Sequence, residues 1–416
     1  MSRRAPWWTV ALLACSGPAC ADRVIHVAAG AQDGDGGPSF PFATLSQALD
    51  GGLKPGDTVL VAPGTYREQV FLRDDGAPGR PITLRSAVPG GARIRPPPGS
   101  YSTLHLRGDH LVVDGFDVVG GAGHAIDAER VHHVTVRNTV AHHSGGSGIS
   151  FHLTEFQLIE DNRVFGNAAT NGYQTSGISV SSNIDLTGDS RQSGFRTIVR
   201  RNISHDNITL AVPGPHTDGN GIIIDWFRNE GIGHPPYSHP TLVEDNLTFR
   251  NGGKGIQIFM SDTVTVRNNT AWHNNRDLAN PGTERGEITV TRSAARCVVT
   301  NNIAVASAAI HPDNTAFSLA GPSVVARHNL AHGAPVALWH GARFDRAGGN
   351  LDGVDPAFRN PDAGLFDLQA DSPAIDAGTG RRLYSARDLA GAPRVNGPID
   401  MGAFEHRPDP AISRER

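Results

Sequence analysis

Lysine is almost absent from this chain, which makes the two remaining lysines informative. The sequence holds Lys54 and Lys254 against 35 arginines in 416 residues. Arginine keeps its charge at any biological pH, whereas a lysine withdrawn from water can lose a proton and act as a base. Lys254 lies in the glycine-rich segment Asn251-Gly-Gly-Lys-Gly-Ile256. We therefore treat Lys254 as a candidate catalytic base, with a solvated lysine at a turn as the alternative.

Segments similar to the one around Lys254 recur along the chain. Their shared isoleucines are Ile149, Ile178, Ile222, Ile256 and Ile288. Because side chains alternate between the two faces of a strand, pointing these isoleucines inward predicts one exposed sheet face. The candidate chemical groups on that face are His152, Asp225, Gln257 and Glu287. Lys254 has inward parity, so it joins them only if Gly253 and Gly255 place it in the turn before the strand.

Polar residues just outside these strands extend the candidate site. They are His216, Asp218 and Asn220 near the start of one strand, Trp226 after it, and Arg285 before the last strand. Each has an ordinary structural alternative. An aspartate at a glycine-rich turn commonly caps the backbone, a histidine among nineteen is often plain surface, and Glu287 could simply pair with Arg285 or Arg267.

A second repeat, of the form apolar-x-x-Asn-apolar with some variation in spacing, alternates with the first. Its asparagines are Asn138, Asn162, Asn202, Asn246, Asn269, Asn302 and Asn329, separated by 23 to 44 residues. Short β-rich runs at such a period predict a solenoid, in which each coil buries its inward side chains against its neighbours. Asparagine suits the turns and can hydrogen-bond to the next coil. The predicted fold class is all-β, a right-handed parallel β-helix.

Both ends of the chain resemble those of bacterial β-helix proteins of the pectate-lyase superfamily. At the N-terminal end the resemblance rests on residues 25–27, 41–49, 54–61 and 64–67. It implies that a short amphipathic helix near residues 45–49 plugs the apolar column and that Lys54 is structural. Residues 355–358, 372–378 and 399–405 resemble the C-terminal closing segment of the same superfamily. These motifs are specific for architecture and weak for activity.

The repeat spacing also shows where loops are inserted. The two longest intervals, 40 and 44 residues, fall between Asn162 and Asn246. The predicted loops cover residues 168–174, 183–194, 209–218 and 226–240, and a further loop covers residues 274–284. Loops that extend from a rigid solenoid typically wall a cleft. Their coincidence with the candidate residues is the main argument for a functional site.

The segments 216–225, 251–256 and 285–288 are similar to lysine-dependent pectate lyases and to related alginate and chondroitin lyases. The resemblance implies β-elimination on a uronate-containing acidic polysaccharide. A base must remove the C5 proton, which is acidic only when the adjacent carboxylate is neutralised by Ca²⁺ or by Arg, Asn or Gln contacts. The implied catalytic residues are Lys254 as the base, Arg285 as the group that holds the carboxylate or stabilises the enolate-like intermediate, and Glu287. The implied substrate-binding residues are His152, His216, Asn220, Trp226 and Gln257.

Calcium is the one cofactor that this resemblance raises. Asp218 and Asp225, with Glu287 as a further donor, would supply the oxygen ligands that Ca²⁺ prefers. Calcium-dependent members carry a tight cluster of several aspartates, whereas here only Asp218 and Asp225 lie close in sequence. The alternative is a metal-free site with an arginine or asparagine as the neutralising group.

Other functions stay open. A glycoside hydrolase would need two carboxylates about 5–9 Å apart, which Asp218, Asp225 and Glu287 could provide. A C5-epimerase shares the proton abstraction and differs in the face that is reprotonated. A non-catalytic carbohydrate-binding protein would need aromatic platforms along the groove. The candidates for such platforms are Trp226, Tyr237, Phe259 and Trp272.

The first 21 residues are predicted to be an export signal. Arg3 and Arg4 precede an apolar run, and Ala19-Cys-Ala21 has the small-x-small form of a cleavage site. The protein is therefore expected to be secreted or periplasmic, or, through Cys15, an outer-membrane lipoprotein. No later segment reaches the ~20 apolar residues of a membrane span. Mixed charges and a formal net charge of −4 argue against nucleic acid as a partner.

The expected organisation follows from these features. Residues 1–21 form the signal, 22–104 the N-terminal cap and first coils, and 105–345 the coils with active-site loops. Residues 346–406 form the C-terminal coil and cap, and 407–416 a disordered tail. Cleavage would leave Cys297 as the sole cysteine, which excludes a disulfide framework. We expect a monomer whose partner is an acidic polysaccharide.

Overall fold

Three long parallel sheets, visited in turn by each coil, form the body of the protein. The computed structural model describes residues 22–32, 34–171, 175–210, 216–280, 284–291, 293–380 and 385–407. We name the sheets A, B and C in the order in which a coil passes through them. The fold is a right-handed parallel β-helix, which confirms the predicted fold class.

Among the described residues, sheets A and B have eleven strands each and sheet C has ten. Sheet A contains β1 (Val24–Val27), β2 (Thr58–Val61), β5 (Ile82–Ser86), β8 (Leu111–Asp114), β11 (His132–Arg137), β14 (Glu155–Glu160), β17 (Thr197–Arg200), β20 (Thr241–Glu244), β23 (Val264–Arg267), β26 (Val298–Thr300) and β29 (Val325–Arg327). Sheet B contains β3 (Gly64–Arg67), β6 (Ala92–Arg95), β9 (Asp117–Val119), β12 (Val140–His142), β15 (Arg163–Phe165), β18 (Ile203–His205), β21 (Leu247–Phe249), β24 (Thr270–Trp272), β27 (Ile303–Val305), β30 (Leu330–His332) and β32 (Leu351–Asp352). Sheet C contains β4 (Val70–Leu72), β7 (Leu104–Leu106), β10 (Ile126–Glu129), β13 (Ile149–His152), β16 (Ser176–Ser181), β19 (Asn220–Asp225), β22 (Ile256–Phe259), β25 (Gly286–Val290), β28 (Thr315–Ala320) and β31 (Ala337–Trp339).

The apolar column inside the coils follows the predicted alignment. The five aligned isoleucines pair in register from β13 to β25, and none of their side chains is exposed. Each such burial contributes about 1.5–3 kcal/mol relative to an exposed side chain. The same alternation turns the residues between them outward, so the strands of sheet C present a regular outer face.

The N-terminal end of the column is covered by a short helix, α1 (Leu45–Asp50). Thr44 and Gln47 form a capping box that satisfies the first free amides of the helix. Leu45, Ala48 and Leu49 are buried against the column. This confirms the helix predicted near residues 45–49.

The C-terminal segment lies against the outer face of sheet B. Two 3-10 helices (Arg346–Gly348 and Pro361–Ala363) and the antiparallel pair β33 (Phe358–Asn360) and β34 (Leu365–Leu368) begin it. Phe366 contacts the rings of Phe249 and Trp272. Further along, Asn268 Nδ2 donates to the carbonyl of Asp400 at 3.1 Å. The segment therefore buries Trp272, which cannot serve as a sugar platform.

A ladder of asparagines fills the corner between sheets A and B. Its members are Asn162, Asn202, Asn246, Asn269, Asn302, Asn329 and Asn350, and the main-chain N and Nδ2 of each donate to Oδ1 of the next at 2.9–3.1 Å. We call it the A–B ladder. The prediction that Asn138 belongs to it is wrong. Asn138 takes the left-handed position, with φ 52°, and bonds to Asp114, while Thr139 occupies the ladder position.

No helix among the described residues has the length and apolarity needed to cross a membrane. The predicted export signal, its cleavage site and Cys15 lie outside the described residues. Most of the predicted C-terminal tail also lies outside them.

Candidate functional site

The outer face of sheet C is flanked by the inserted loops on both sides. Loops at the corner between sheets B and C precede its strands and carry His216, Asp218 and Arg285, while loops at the corner between C and A follow them and carry Trp226. Residues 172–174, 211–215 and 281–283 of these loops are outside the described part of the chain. The cleft predicted from the repeat spacing therefore has sheet C as its floor.

A second asparagine ladder, which sequence reasoning missed, lies at the corner between sheets B and C. Asn167, Asn207, Asn251 and Asn274 follow one another, with the main-chain N and Nδ2 of each donating to Oδ1 of the next at 2.8–3.1 Å. We call it the B–C ladder. An asparagine two residues after each of four consecutive sheet B strands, β15, β18, β21 and β24, was the signal that could have revealed it.

The B–C ladder explains why a glycine precedes the inward isoleucine in successive coils. A Cβ at Gly221 would lie 2.8 Å from Nδ2 of Asn251, and a Cβ at Gly255 would lie 2.8 Å from Nδ2 of Asn274. Only glycine fits so close to the ladder amides. Gly221 lies within β19, whereas Gly255 forms a bend directly before β22, so simple strand parity does not apply to Lys254.

Lys254 lies between the bends at Gly253 and Gly255. Gly253 allows the main chain to pass close to Asn220, since a Cβ at Gly253 would lie 2.3 Å from Oδ1 of Asn220. That same oxygen accepts the main-chain N–H of Lys254 at 2.7 Å. Lys254 thus lies in the turn before β22, as the prediction required of Gly253 and Gly255.

Lys254 is buried, and its ammonium has no hydrogen-bond or ion-pair partner among the described residues. Burial lowers the pKa of Lys254 below its ordinary value. The charges of Asp218 and Glu284 act in the opposite direction, and the charge of Arg285 adds to the lowering. The surroundings therefore favour a lysine that can give up its proton more readily than one in water.

Asn220 connects the residues around Lys254. Its Nδ2 donates to Asp218 Oδ1 and to Gln257 Oε1, each at 3.0 Å, while its Oδ1 holds the main chain of Lys254. Its side chain is fully buried. The prediction that Asn220 contacts substrate is therefore corrected: its polar atoms are occupied within the protein, and it positions its three neighbours.

The loops at this corner bring further charged groups together. His216 Nδ1 lies 2.6 Å from Asp277 Oδ2, and both side chains are buried. Arg285 is largely buried and donates to the carbonyl of Asn280. Asp277 and Glu284 escaped sequence reasoning because loop residues far apart in the chain meet only through the fold. His216 thus faces a protein carboxylate, and Arg285 retains donors beyond the one that it shares with Asn280.

Glu287 does not lie on the outer face, so this prediction is wrong. Glu287 occupies the position that Gly221 and Gly255 hold in the two preceding coils, and its side chain is fully buried. Glu287 Oε1 accepts the main-chain N–H of Asn274 at 2.9 Å, and Oε2 accepts its Nδ2 at 2.6 Å. Burial raises the pKa of Glu287 to about 8, against the two hydrogen bonds from Asn274, which lower it. Glu287 ends the B–C ladder and cannot reach a substrate.

Asp225 lies at the opposite end of β19 from Asn220. Burial, together with the charge of Asp218, raises the pKa of Asp225 to about 7. Asp218 therefore lies near enough to influence both Lys254 and Asp225. A carboxyl group that keeps its proton near neutral pH can donate a hydrogen bond or a proton.

An open groove of about 580 Å³ extends from Asp225 over the N-terminal strands of sheet C. Its lining includes Tyr101, His124, His152 and Trp226. His152 Nδ1 lies 3.1 Å from Ser181 Oγ, and burial lowers the pKa of His152. His152 and Asp225, which the sequence predicts on one sheet face, both line this groove, together with Trp226. Phe259 contacts Trp226 with ring centroids 5.9 Å apart, whereas Tyr237 is buried elsewhere.

The predicted metal ligands do not form a calcium cage. Asp218 accepts hydrogen bonds from Asn220 and Thr217, and Glu287 is committed to the B–C ladder. In the part of the chain that the structure describes, the groups of three or more histidines, cysteines and carboxylates that converge as metal ligands do not include Asp218 or Asp225. Six to eight oxygen donors are usual for Ca²⁺, so the donors present do not fit it.

Comparisons with known proteins bear on the fold and on the N-terminal coils. A family model described as Chondroitinase B matches residues 42–173, which cover the cap and first coils and stop before Lys254. No curated protein matches the chain.

Three solved structures are similar to this chain to different degrees. Pectate lyase Pel9A is 17% identical, with 93% of this chain and 97% of that chain covered and a TM-score of 0.56. An alginate lyase from Paenibacillus sp. str. FPU-7 is 18% identical, with 77% and 98% covered and a TM-score of 0.48. The A-module of the Azotobacter vinelandii mannuronan C-5 epimerase AlgE6 is 15% identical, with 75% and 93% covered and a TM-score of 0.46. The match to Pel9A shows the fold, and at this identity it shows the fold alone.

Proposed function

We propose that the protein is a polysaccharide lyase that cleaves a uronate-containing acidic polysaccharide by β-elimination. The observation that carries the proposal is Lys254, a buried lysine with a lowered pKa whose ammonium lacks a partner among the described residues. It lies just before a strand of sheet C, the sheet whose earlier strands line the groove, on a fold shared with a pectate lyase. A lysine of this kind suits proton abstraction better than a structural role.

In the proposed reaction Lys254 Nζ takes the proton from C5 of the uronate. The C5–H electron pair passes first into the carboxylate as an enolate-like intermediate and then forms the C4–C5 double bond. The bond from C4 to the leaving oxygen breaks, and that oxygen takes a proton from the lysine ammonium or from water. Elimination therefore yields one unsaturated sugar end and one free hydroxyl group.

Arg285 is the proposed partner of the substrate carboxylate. Its charge lies close enough to Lys254 to lower the lysine pKa, so a carboxylate held by Arg285 would lie near the base. Gln257 also lies beside this position, and its Nε2 has no hydrogen bond among the described residues. Neutralising the carboxylate makes the C5 proton more acidic. No step of this scheme needs a metal ion, and calcium dependence becomes a question for chelation.

Glycoside hydrolysis is a second candidate, favoured by one observation. Asp225 has a pKa raised to about 7 and lies near Asp218, and hydrolases use one protonated and one ionised carboxyl group. Under this alternative Asp225 would protonate the leaving oxygen. A C5-epimerase shares the proposed base and would return a proton to the opposite face of C5.

Product analysis on a panel of acidic polysaccharides tests the proposal. The ultraviolet absorbance of the unsaturated product and the appearance of reducing ends would be followed with added Ca²⁺ and with chelator. We expect unsaturated product from wild type and none from Lys254→Ala. Reducing ends without unsaturation would favour the hydrolase, inverted uronates without cleavage would favour the epimerase, and binding without turnover would favour a carbohydrate-binding protein.

We also propose that the protein acts outside the cytoplasm as a monomer. The proposal rests on the N-terminal sequence and on the polymeric substrate. N-terminal sequencing of the exported protein distinguishes cleavage after Ala21 from lipidation at Cys15, and light scattering gives the oligomeric state.

A further inference from the structure

Three histidines meet at the corner between sheets C and A, away from Lys254. They are His110, which precedes β8, and His132 and His133 at the start of β11. All three are partly exposed, and one ring nitrogen of each lies within 4.8 Å of the others. None of these residues takes part in the proposed function.

The backbone explains how consecutive residues come to share one side. Residues i and i+1 of a strand normally point to opposite faces, but His133 has a left-handed backbone with φ 56°. As a result Nδ1 of His133 lies 3.0 Å from Nδ1 of His132. His110 has the same geometry one coil earlier, with φ 52°, and its ring lies against that of His133.

Carboxylates lie next to this cluster. Asp109 Oδ2 lies 3.2 Å from Nε2 of His132, on the side opposite the nitrogen that faces His133. Asp109 also accepts the main-chain N–H of His132, and Asp75 accepts the main-chain N–H of Asp109. A carboxylate on the far nitrogen fixes the orientation of a metal-binding histidine and raises its basicity. The two acidic residues also favour a cation at this corner.

From this arrangement we infer that His110, His132 and His133 form a binding site for a divalent transition-metal ion such as Zn²⁺. Zinc–nitrogen bonds of about 2.0–2.1 Å in tetrahedral geometry place ligand nitrogens roughly 3.3 Å apart. His132 and His133 are already close to that spacing, and the His110 ring must turn toward them. Imidazole ligands select zinc, copper or nickel over calcium and magnesium. A water molecule would complete the coordination, because Asp109 is held on the outer side.

Ring stacking alone is the competing explanation. His133 stacks on His110 at 4.5 Å and on Phe156 at 4.4 Å between ring centroids. Phe156 shows that a phenyl ring serves this stack as well as an imidazole. Stacking does not hold His132, whose ring is nearly perpendicular to both others. A hydrogen bond between Nδ1 of His132 and Nδ1 of His133 is the metal-free alternative for that ring, and Zn²⁺ titration distinguishes the two.

The site would join two successive coils beside the N-terminal end of the groove. His110 belongs to one coil, and His132 and His133 belong to the next. A metal bound to the folded state alone would stabilise it. Binding should therefore raise the melting temperature whether or not the protein is a lyase.

The experiment uses full-length, tag-free protein stripped of metal with a chelator. Zn²⁺ is titrated by calorimetry, Co²⁺ by its visible absorption, and the melting temperature is recorded at each step. We expect one Zn²⁺ per chain, a tetrahedral Co²⁺ spectrum and a rise in melting temperature of about 2 °C or more at saturation.

Variants separate ligation from stacking. His110→Phe and His133→Phe keep a flat ring and remove a ligand, so each should weaken Zn²⁺ binding at least tenfold. His143→Phe is the matched control, because His143 faces His142 in a pair with Nδ1 atoms 2.5 Å apart that lies outside the three-histidine group. If a phenylalanine variant misfolds, His110→Gln serves in its place. Absence of binding to wild type, or binding by the variants as tight as wild type, would overturn the inference.

Discussion

The two asparagine ladders use the same hydrogen bonds, yet only one of them lies beside the candidate active site. The A–B ladder continues from Asn162 to Asn350 without a change of residue type. The B–C ladder stops after Asn274, where Glu287 takes the place of the next asparagine. Lys254 lies on the B–C corner, one coil before that end. A regular ladder thus supports the coils along the A–B corner, whereas the candidate site lies where the regularity of the B–C ladder ends.

At the same corner, one position of the repeat changes residue type from coil to coil. The residues two before the inward isoleucines are Ser147, Ser176, Asn220 and Lys254 in successive coils, and all are buried. The small serines of the N-terminal coils give way to an amide that positions its neighbours and then to a lysine. No comparable change occurs along the A–B ladder.

Breaking the two ladders at matched positions should give the largest contrast. Asn246→Ala and Asn251→Ala each remove one rung and leave buried donors unpaired, so each should lower the free energy of unfolding by about 2–4 kcal/mol. Only Asn251→Ala should also reduce the specific activity of the folded enzyme, because Lys254 lies three residues away. Chemical denaturation and activity per folded molecule measure both effects. Equal loss of specific activity in both variants would remove the distinction between the ladders.

The end of the B–C ladder should make stability depend on pH. The folded pKa of Glu287, raised to about 8 from an ordinary value of 4.5, means that the folded state binds the proton more tightly than the unfolded state. Its contribution is therefore fully present below about pH 4.5 and is lost as the pH rises toward 8. Glu287→Gln resembles the protonated acid and should remove this part of the pH dependence, at a cost of about 1–3 kcal/mol at low pH. Denaturation of both proteins between these pH values is the measurement, and identical pH dependence would refute the assignment.

Trp226 tests whether the groove binds sugar. Trp226→Ala should raise KM about tenfold with little change in kcat, because an aromatic platform acts mainly on binding. Trp339→Ala is the matched control, since Trp339 is exposed on the last strand of sheet C, far along the stack from the groove. Steady-state kinetics on the substrate found in the panel decides the matter. Equal effects of the two substitutions would argue against a role for the groove.

Substitution of Asp225 should have the smallest effect on the activity of a lyase, whereas it should strongly reduce the activity of a hydrolase. Asp225→Asn keeps a hydrogen-bond donor, so elimination should fall less than tenfold and lose any pH dependence near 7, where the raised pKa of Asp225 lies. Loss of a general acid would instead cost about 10²–10⁴-fold. A pH–rate profile of wild type and variant separates the two, and a loss of the larger size would favour hydrolysis.

Much of the fold could be predicted from the sequence, because the inward isoleucines and corner asparagines repeat with the coil. The prediction failed where a local backbone effect shifted the pattern by one residue. Asn138 has a left-handed backbone beside the A–B ladder. Glu287 takes the position of the corner glycines Gly221 and Gly255, so the alternation of strand faces does not predict its orientation.

The candidate site was less predictable, since part of it is assembled by loops. The glycines on either side of Lys254 were sufficient to suggest its turn position, and the register of β19 with β22 supports that placement. The pairing of His216 with Asp277 joins residues 61 positions apart, and no local pattern encodes it. The burial of Tyr237 and Trp272 likewise depends on segments that pack over them.

The central claim is that Lys254 is the base of a β-elimination, and the Lys254→Arg variant tests it most directly. Arginine keeps the positive charge and much of the volume, but it cannot lose a proton in this pH range. We predict that wild type forms unsaturated product at a rate that rises as the pH approaches the lysine pKa, and that Lys254→Arg, still folded, forms none. Unsaturated product from the arginine variant at a rate near that of wild type would contradict the account.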